Sequence, residues 1–394
     1  MARAVNAAQS ESRASAGFAP TVVAFGAAGL VAFAELYGVQ ALLPAIGREL
    51  ALTPSSAALV QSAGALGLAF AVVPWSLAAR RVRRGTLLRI AVVATILLSP
   101  LVAATDGLVP LLAVRFTQGA VLAGIPALAV THLGDLLDRT RASAAAGWYV
   151  GGTAIGGLSG RLVAGAVGAL GDWRLALVAV SLLSALAAAA FLALTPRVEE
   201  RPDVPGAARS ALADRRIWAL CVLALLQMGA FVAVYNFIGF RLLRAPFELP
   251  ELTVTAVFVV YLVGSFTATR SGSFVTRLGR HRVVGGALAA QVLGALMTIP
   301  DAVPTIVVGL VVITAGFFAL HAVAAGWVAE LGRGSAVPSA LYTIGYYLGA
   351  GVLGWAFGLV FDAGGWGLLA AGFVITGLVS GLVAVLGLSD RGRA

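Results

Sequence analysis

Twelve long apolar runs make up most of this sequence, and they restrict the chain to one broad class of fold. Each run is long enough for a helix to cross a bilayer, which takes about 20 residues. Helices satisfy their own backbone hydrogen bonds where water is absent, so a helix is expected in every run. The prediction is therefore an all-α membrane protein with twelve transmembrane helices. We place the runs at 18–44, 55–79, 86–105, 108–133, 143–169, 173–195, 217–240, 252–271, 283–300, 303–329, 338–361 and 366–388.

The sequence also contains an internal repeat. When it is shifted by about half its length, the fifth and eleventh runs come into register, so that Tyr149 meets Tyr342 and Gly156 meets Gly349. Such a duplication indicates two related membrane bundles with a site between them, an architecture typical of transporters. We predict two pseudo-symmetric six-helix bundles joined by a cytoplasmic linker that contains proline and mixed charges. The bundles are 1–195 and 217–394, and the linker is 196–216.

The basic charge of the chain indicates its topology and argues against a nucleic-acid partner. The formal net charge is +10, and all 27 basic residues are arginine. If both termini are cytoplasmic, 21 arginines lie on that side, four lie outside and two lie within runs. Basic loops resist translocation, so this asymmetry predicts cytoplasmic termini, with some attraction to anionic lipid. Arginine without lysine is typical of a GC-rich bacterial genome, and we expect a bacterial inner membrane protein.

Several other functions are disfavoured. The longest loop, at 196–216, leaves no room for a soluble catalytic or signalling domain, and no phosphate-binding GxxxxGK[ST] motif occurs. The lone Cys221 permits no intrachain disulfide and suggests no metal site, and no cofactor is expected. These observations argue against an enzyme, an ATP-driven pump and a membrane sensor. We expect a monomeric transporter of a small molecule, driven by an ion gradient.

Glu35 is the acidic residue that the sequence singles out. Of the 17 acidic residues, it alone lies well inside a run. Counting along the helices puts Glu35, Arg115 and Arg161 at matched depth in the outer half of the membrane, which permits a carboxylate–guanidinium cluster. Burial favours the neutral carboxyl and a nearby arginine favours the carboxylate, a competition that suits proton coupling. The alternative is a static ion pair that satisfies Arg115 structurally.

Other polar and aromatic side chains within the runs are candidates for a cavity lining. His321 titrates in a useful range and is a further proton-coupling candidate. As a set they suggest an amphipathic pocket with aromatic faces, suited to planar or cationic organic solutes. Each one alone is more often an interhelical hydrogen bond. The substrate-binding candidates are Tyr37, Gln40, Gln118, Tyr149, Gln227, Tyr235, Asn236, Tyr261, His321, Tyr346 and Tyr347.

Two features are candidates for gating. Gly152, Gly156 and Gly160 recur every four residues in the fifth run and form a flat helix face. Such a face serves ordinary helix packing, and the same close approach is what a rocking interface between the halves needs, so the two interpretations are compatible. The loops after the second and eighth runs are basic and occupy matching places in the two halves. Their candidate gating residues are Arg80, Arg83, Arg277 and Arg280.

The motifs resemble those of the major facilitator superfamily. The loop at 272–281 is similar to the signature G-x-x-x-D-R-x-G-R-[RK], with Thr276 in place of the acid, and 115–119 is similar to the R-x-x-Q-G motif. The run at 147–161 resembles the glycine-rich fifth span of superfamily antiporters without the usual proline. Stretches at 36–44, 156–161, 317–327 and 339–349 resemble the YnfM-like branch of acriflavine-susceptibility, or drug:proton antiporter, proteins. The resemblance implies alternating access and export driven by proton entry, without indicating a substrate.

Two hypotheses for the function follow. The first is a proton-coupled exporter of small amphipathic organic molecules, in which a proton from outside reaches Glu35 and releases its hold on Arg115. The second is a facilitator, or a proton symporter, of a polar metabolite such as a sugar, with a structural Glu35. Dependence of substrate accumulation on a proton gradient separates the exporter from a facilitator.

Overall fold

The computed structural model describes residues 17–196, 213–332 and 335–388, which form helices and short loops without a strand. The all-α prediction is confirmed. The helices are Phe18–Glu49 (span 1), Pro54–Ala78 (span 2), Arg84–Ala103 (span 3), Leu108–Leu136 (span 4), Arg139–Gly168 (span 5), Trp173–Leu194 (span 6), Arg215–Leu242 (span 7), Glu251–Leu278 (span 8), Arg280–Met297 (span 9), Val303–Leu331 (span 10) and Val337–Leu388 (spans 11 and 12).

Ten helices in these described ranges are long and apolar enough to cross a membrane. Two observations reconcile this number with the twelve predicted spans. The 52-residue helix Val337–Leu388 is broken at Gly364 and Gly365, where Gly365 adopts a φ of +66°, and it therefore contains two spans. Span 9 is 18 residues long and carries two arginines in its first turn, which makes it less apolar. It still packs closely on span 10, with Gly294 against Gly309.

Side-chain caps set the beginning of several spans. Asp138 accepts hydrogen bonds from the backbone N–H groups of Thr140 and Arg141 at the start of span 5. The N–H of Arg141 in particular holds the pKa of the Asp138 carboxyl below its usual range, so the cap remains charged at neutral pH.

Span 7 begins at Arg215, and of the predicted linker only 196 and 213–216 are described. The division of the chain at this linker stays a prediction.

Glycine faces bring helices of each bundle to backbone contact distance. On span 5, a Cβ added at Gly152 would lie 2.0 Å from the carbonyl oxygen of Gly26 on span 1. At the repeat-related place on span 11, a Cβ added at Gly349 would lie 2.0 Å from the carbonyl oxygen of Leu225 on span 7. Only glycine permits such close approach. Equivalent positions therefore make equivalent contacts, as two pseudo-symmetric bundles require.

The glycine face of span 5 lies inside the first bundle. A Cβ at Gly156 would meet the backbone of Leu30, and one at Gly160 would meet the backbone of Ala34, both on span 1. In this conformation the three glycines pack inside the first bundle and not between the halves, and their role in gating stays a prediction. A flat helix face shows that a neighbour comes close, but its sequence does not say which neighbour.

The two bundles meet near one end of the molecule. We call the end with the loop between spans 1 and 2 the distal end, and the opposite end, from which span 1 starts, the terminal end. In the distal half, a Cβ at Gly165 on span 5 would lie 2.8 Å from the Cβ of Thr255 on span 8. The repeat-related Gly358 on span 11 would place a Cβ 2.9 Å from that of Ser55 on span 2. The inter-bundle contact is thus pseudo-symmetric as well.

Polar contacts reinforce this distal contact. Arg48 of span 1 forms an ion pair with Glu251 of span 8, and the backbone N–H of Ser55 donates to Oδ2 of Asp362 at 3.3 Å. Spans 4 and 10 pack chiefly within their own bundles. The junction between the bundles is therefore closed at the distal end.

Candidate functional site

Glu35 lies in the interior of the first bundle. It is 6% exposed, and its Oε2 accepts a hydrogen bond from Nε2 of Gln118 on span 4 at 2.9 Å. The hydroxyl groups of Ser99 on span 3 and Ser184 on span 6 lie beside the carboxyl. Its Oε1 is buried and has no hydrogen-bond partner in the described part of the chain. The carboxyl is therefore surrounded by neutral polar groups of three other spans, with one oxygen unpaired.

Arg115 reaches the same turn of span 1 without pairing with the carboxylate. Its Nη1 donates to the backbone carbonyl oxygen of Glu35 at 3.0 Å, and its Nη2 donates to that of Leu36 at 2.9 Å. Nη1 also donates to Oε1 of Gln118 at 2.5 Å. Gln118 therefore bridges the two charges, because it accepts from the guanidinium and donates to the carboxylate. This bridge replaces the direct ion pair that the sequence suggested.

The carbonyls that Arg115 contacts belong to a break in span 1. The α-helix Phe18–Tyr37 changes there to a 3-10 turn, Gly38–Leu42. Carbonyl groups in the last turn before such a change lose their usual partners. Arg115 supplies donors to them. In return, the carbonyls stabilise a buried cation that would otherwise cost about 2.5–3.5 kcal/mol to place in the membrane.

Arg161 lies in a second cluster, at the junction between the bundles. Its Nε donates to Oε1 of Gln40 at 2.7 Å, and its Nη2 donates to the hydroxyl of Tyr261 on span 8 at 3.2 Å. Nε2 of Gln40 donates in turn to Oδ1 of Asn236 on span 7 at 2.7 Å. This network joins spans 1 and 5 of the first bundle to spans 7 and 8 of the second. The single cluster expected from matched depth is therefore two clusters, with Glu35 in the other.

Aromatic rings enclose the Arg161 guanidinium. Its Cζ lies 4.5 Å from the ring centroid of Tyr37, 4.4 Å from that of Tyr261 and 5.5 Å from that of Phe258. Each such contact stabilises a desolvated cation by about 0.5–2 kcal/mol. The side chain is 2% exposed, and none of the described acidic residues forms an ion pair with it.

The second bundle contributes an aromatic wall beside this network. The rings of Phe231 and Phe317 stack with centroids 3.8 Å apart, and His321 lies parallel to Phe317 at 6.0 Å. Nδ1 of His321 is 2.9 Å from the hydroxyl of Tyr342, and its ring centroid is 4.6 Å from that of Tyr346. His321 therefore belongs to the wall of the second bundle and lies apart from the acidic site of the first.

The remaining predicted lining residues fall into two groups. Gln118 and Gln227 face the interior of their own bundles. Gln118 contacts Glu35, as described above, and Nε2 of Gln227 donates to Oγ of Ser380 on span 12 at 2.8 Å. Tyr235 donates to or accepts from the hydroxyl of Thr314 on span 10 at 2.5 Å. The others lie at or near the junction: Tyr37, Gln40, Tyr149, Asn236, Tyr261, Tyr346 and Tyr347.

Comparison with known proteins decides the family. The Major Facilitator Superfamily profile matches residues 25–319. The chain is 30% identical to the uncharacterized MFS-type transporter YybF of Bacillus subtilis, over 89% of this chain and 88% of that protein. It is 31% identical to the inner membrane transport protein YnfM of Escherichia coli, over 93% of this chain and 89% of that protein. This chain belongs to the Major Facilitator Superfamily.

Solved structures agree with this assignment at the level of the fold. A bacterial homologue of the human lysosomal transporter Spinster, in an inward-facing and occupied conformation, has a TM-score of 0.74 at 15% identity, covering 93% of this chain and 94% of that chain. The nucleoside transporter NupG has a TM-score of 0.73 at 13% identity, covering 93% and 99%. The superfamily member is therefore a multi-pass membrane transporter of a small molecule and not an enzyme.

The basic loops of this superfamily member pair with acids outside the loops. Nη2 of Arg280 lies 2.5 Å from Oε2 of Glu330 at the end of span 10. In the first half, Nη1 of Arg84 lies 2.7 Å from Oδ2 of Asp135 at the end of span 4. Each pair stays within one bundle. Arg84, Asp135 and Glu330 were not among the predicted site residues, although a shift by about half the chain brings Asp135 close to Glu330.

The other predicted gating arginines are exposed at the terminal end. Arg80, Arg83 and Arg277 form no ion pair with any described residue. Their role in gating stays a prediction.

Proposed function

We propose that this superfamily member is a proton-coupled exporter of small organic solutes, an antiporter that works by alternating access in a bacterial inner membrane. The observation that carries the proposal is the Glu35 carboxyl, which is held among neutral groups with one oxygen unpaired. An acidic residue inside a transmembrane segment is costly and marks a proton or ion path by default. The Escherichia coli relative is named an inner membrane transport protein, which supports the location.

A proton on Oε1 of Glu35 would find an acceptor. Oγ of Ser184 is buried beside the carboxyl, and a hydroxyl oxygen can accept a hydrogen bond from a protonated carboxyl. Oε2 keeps its hydrogen bond from Gln118 whether or not the carboxyl is protonated. Protonation therefore removes the negative charge without breaking the bridge, and it leaves the charge of Arg115 uncompensated.

Span 1 connects this proton site to the junction between the bundles. Arg115 holds the carbonyls just before the break in span 1. The break itself carries Tyr37 and Gln40, which contact Arg161 at the junction. A change in the charge balance at Glu35 therefore reaches the junction within two turns of one helix. We infer that protonation alters this break and, through it, the contact between the bundles.

The arginine distribution supports a cytoplasmic terminal end. With that orientation, the closed distal end faces the outside, and we propose that the conformation described here admits substrate from the cytoplasm. The Spinster homologue of similar fold was likewise solved in an inward-facing conformation. Export then requires that substrate enters from the cytoplasm, that the distal end opens, and that a proton from outside reaches Glu35.

A facilitator or proton symporter of a polar metabolite, such as a sugar, is the second candidate. The hydrogen-bonded amides of Gln40 and Asn236 at the junction favour it, because amides can donate to and accept from hydroxyl groups. In a facilitator, the unpaired oxygen of Glu35 would have no part in transport.

Proton movement in liposomes tests the proposal. Purified protein is reconstituted with a pH-sensitive dye inside, a pH gradient is imposed, and candidate aromatic dyes and sugars are added. The wild type is expected to show substrate-dependent proton movement. Glu35→Gln keeps the shape of the side chain but cannot bind a proton, so we expect it to abolish this movement and to retain substrate exchange without a gradient.

Glu248→Gln is the matched control, since it removes one carboxylate from an exposed loop. It is expected to transport like the wild type. Undiminished proton movement in Glu35→Gln would exclude Glu35 as the coupling residue. Substrate movement without proton movement in the wild type would leave the facilitator.

A further inference from the structure

Arg161 is a buried cation that forms no ion pair with an acidic residue in the described part of the chain. Among the same residues, the three other buried arginines each lie near a carboxylate: Arg84 pairs with Asp135 at 2.7 Å, Arg241 pairs with Asp301 at 2.8 Å, and Arg115 is linked to Glu35 through Gln118. Around Arg161, the described hydrogen-bond acceptors are neutral: the Gln40 amide, the Tyr261 hydroxyl and the backbone carbonyl of Gly157 at 2.6 Å.

The neutral partners of Arg161 can be exchanged for an anion. A carboxylate makes shorter and stronger hydrogen bonds to a guanidinium than an amide or a phenol does. The hydroxyl of Tyr261 now accepts from Arg161, and its own proton is free to be donated to a carboxylate. An anion that enters here therefore gains donors from both bundles at once.

The surroundings of Arg161 also select for a flat, apolar body. The rings of Tyr37 and Tyr261 lie on the guanidinium, and Tyr261 continues into the aromatic wall through Phe231, whose centroid is 5.7 Å away. Aromatic rings pack well on such faces. A cationic solute would meet an unneutralised guanidinium at the same place, and like charges repel most where water is excluded.

We propose that Arg161 anchors the anionic group of the substrate, and that the solute is an organic anion with an aromatic ring, a carboxylate being the simplest case. This inference deepens the proposed function and rests on transport through the junction. It replaces the expectation of cationic solutes. Of the bonds that the anion displaces, the one from Arg161 to Tyr261 holds the two bundles together, and the one from Arg161 to Gln40 lies within the first bundle. Substrate binding therefore loosens the junction that must open for release.

Thermal unfolding with charge-matched ligands tests this inference without any gradient, so its outcome is independent of proton coupling. The purified full-length protein is heated with benzoate, benzamide or benzylammonium, and with 2-naphthoate and its amide and aminomethyl analogues, at millimolar concentration. We expect the carboxylates to raise the melting temperature by about 2 °C or more. The amides and ammonium compounds are expected to raise it by clearly less.

Three variants test whether Arg161 causes this preference for carboxylates. Arg161→Gln should abolish the preference for carboxylates, whereas Arg161→Lys, which keeps the charge and loses the planar fork, should retain a smaller preference. Arg244→Gln removes one exposed arginine and should behave like the wild type. If Arg161→Gln does not fold, Arg161→Lys serves as the test. Its preference for carboxylates should be smaller than that of the wild type, and an undiminished preference would contradict the inference.

Four outcomes overturn the inference. They are equal stabilisation by all three charge classes, stabilisation by the ammonium compounds alone, no stabilisation of the wild type by either carboxylate, and a carboxylate preference that persists in Arg161→Gln. Proton movement that depends on Glu35 would still support the exporter in each of these cases.

Discussion

A cysteine pair that replaces Gly165 and Thr255 is expected to cross-link under oxidant and to stop transport until it is reduced. The two Cβ positions lie 2.8 Å apart, about 1 Å less than the usual disulfide spacing of about 3.8 Å. The bond would fix span 5 to span 8 across the closed distal end. Alternating access requires this end to open, so substrate flux in liposomes should fall to background and recover with a thiol reductant.

A cross-link within one bundle is the control for this experiment. Gly168 on span 5 would place a Cβ 3.9 Å from that of Ala176 on span 6, so the pair Gly168→Cys/Ala176→Cys should oxidise at the same end of the first bundle without loss of flux. The native Cys221 is buried in span 7 and is present in every variant. Full flux through the oxidised Gly165/Thr255 pair would contradict opening at the distal end.

The repeat supplies a second, independent cross-link. Ser55 and Gly358 occupy the symmetry-related contact between spans 2 and 11, with Cβ positions 2.9 Å apart. Since both contacts must separate when the distal end opens, the pair Ser55→Cys/Gly358→Cys should block flux in the same reversible way. Inhibition by only one of the pairs would mean that the bundles do not separate along the whole distal end.

The fold was predictable because bilayer insertion constrains the sequence so strongly. The runs at 86–105 and 173–195 correspond to Arg84–Ala103 and Trp173–Leu194, since apolar length alone defines a span. The repeat was predictable because a close helix contact requires glycine, so the same contact in both bundles places glycine at equivalent positions, as at Gly156 and Gly349. Breaks inside spans were not predictable in this way. The 3-10 turn Gly38–Leu42 has an apolar composition that a continuous helix would also have.

The sequence predicted how deep the candidate residues lie in the membrane, but not which neighbouring helices their side chains face. Glu35 and Gln40 are five residues apart on span 1, and at about 100–120° per residue across the change to the 3-10 turn they lie on different faces of the helix. Glu35 consequently meets Gln118 inside the first bundle, while Gln40 meets Arg161 at the junction. Which helices pack against each face of span 1 depends on the tertiary fold and cannot be read from the sequence of span 1 alone. For that reason, counting along spans put Arg115 and Arg161 in one cluster, and the structure has them in two.

Replacing Gly152 with alanine is expected to destabilise the protein strongly. The added Cβ would lie 2.0 Å from the carbonyl oxygen of Gly26 and 2.7 Å from its Cα, so span 5 must move away from span 1 along a whole glycine face. Overpacking of a core usually costs about 1–3 kcal/mol, and contact with rigid backbone puts Gly152→Ala at about 3 kcal/mol. The melting temperature of the purified protein is expected to fall accordingly, and functional yield in the membrane should fall with it.

Gly151→Ala is the matched control, one residue away on the same helix. A Cβ there meets nothing within 4 Å, so better helix propensity should leave stability unchanged or raise it by up to about 1 kcal/mol. Gly349→Ala, with its Cβ 2.0 Å from the carbonyl oxygen of Leu225, should repeat the loss in the second bundle. If Gly152→Ala instead kept full thermal stability and lost transport, the glycine face would be a moving interface, and its assignment to static packing inside the first bundle would be wrong.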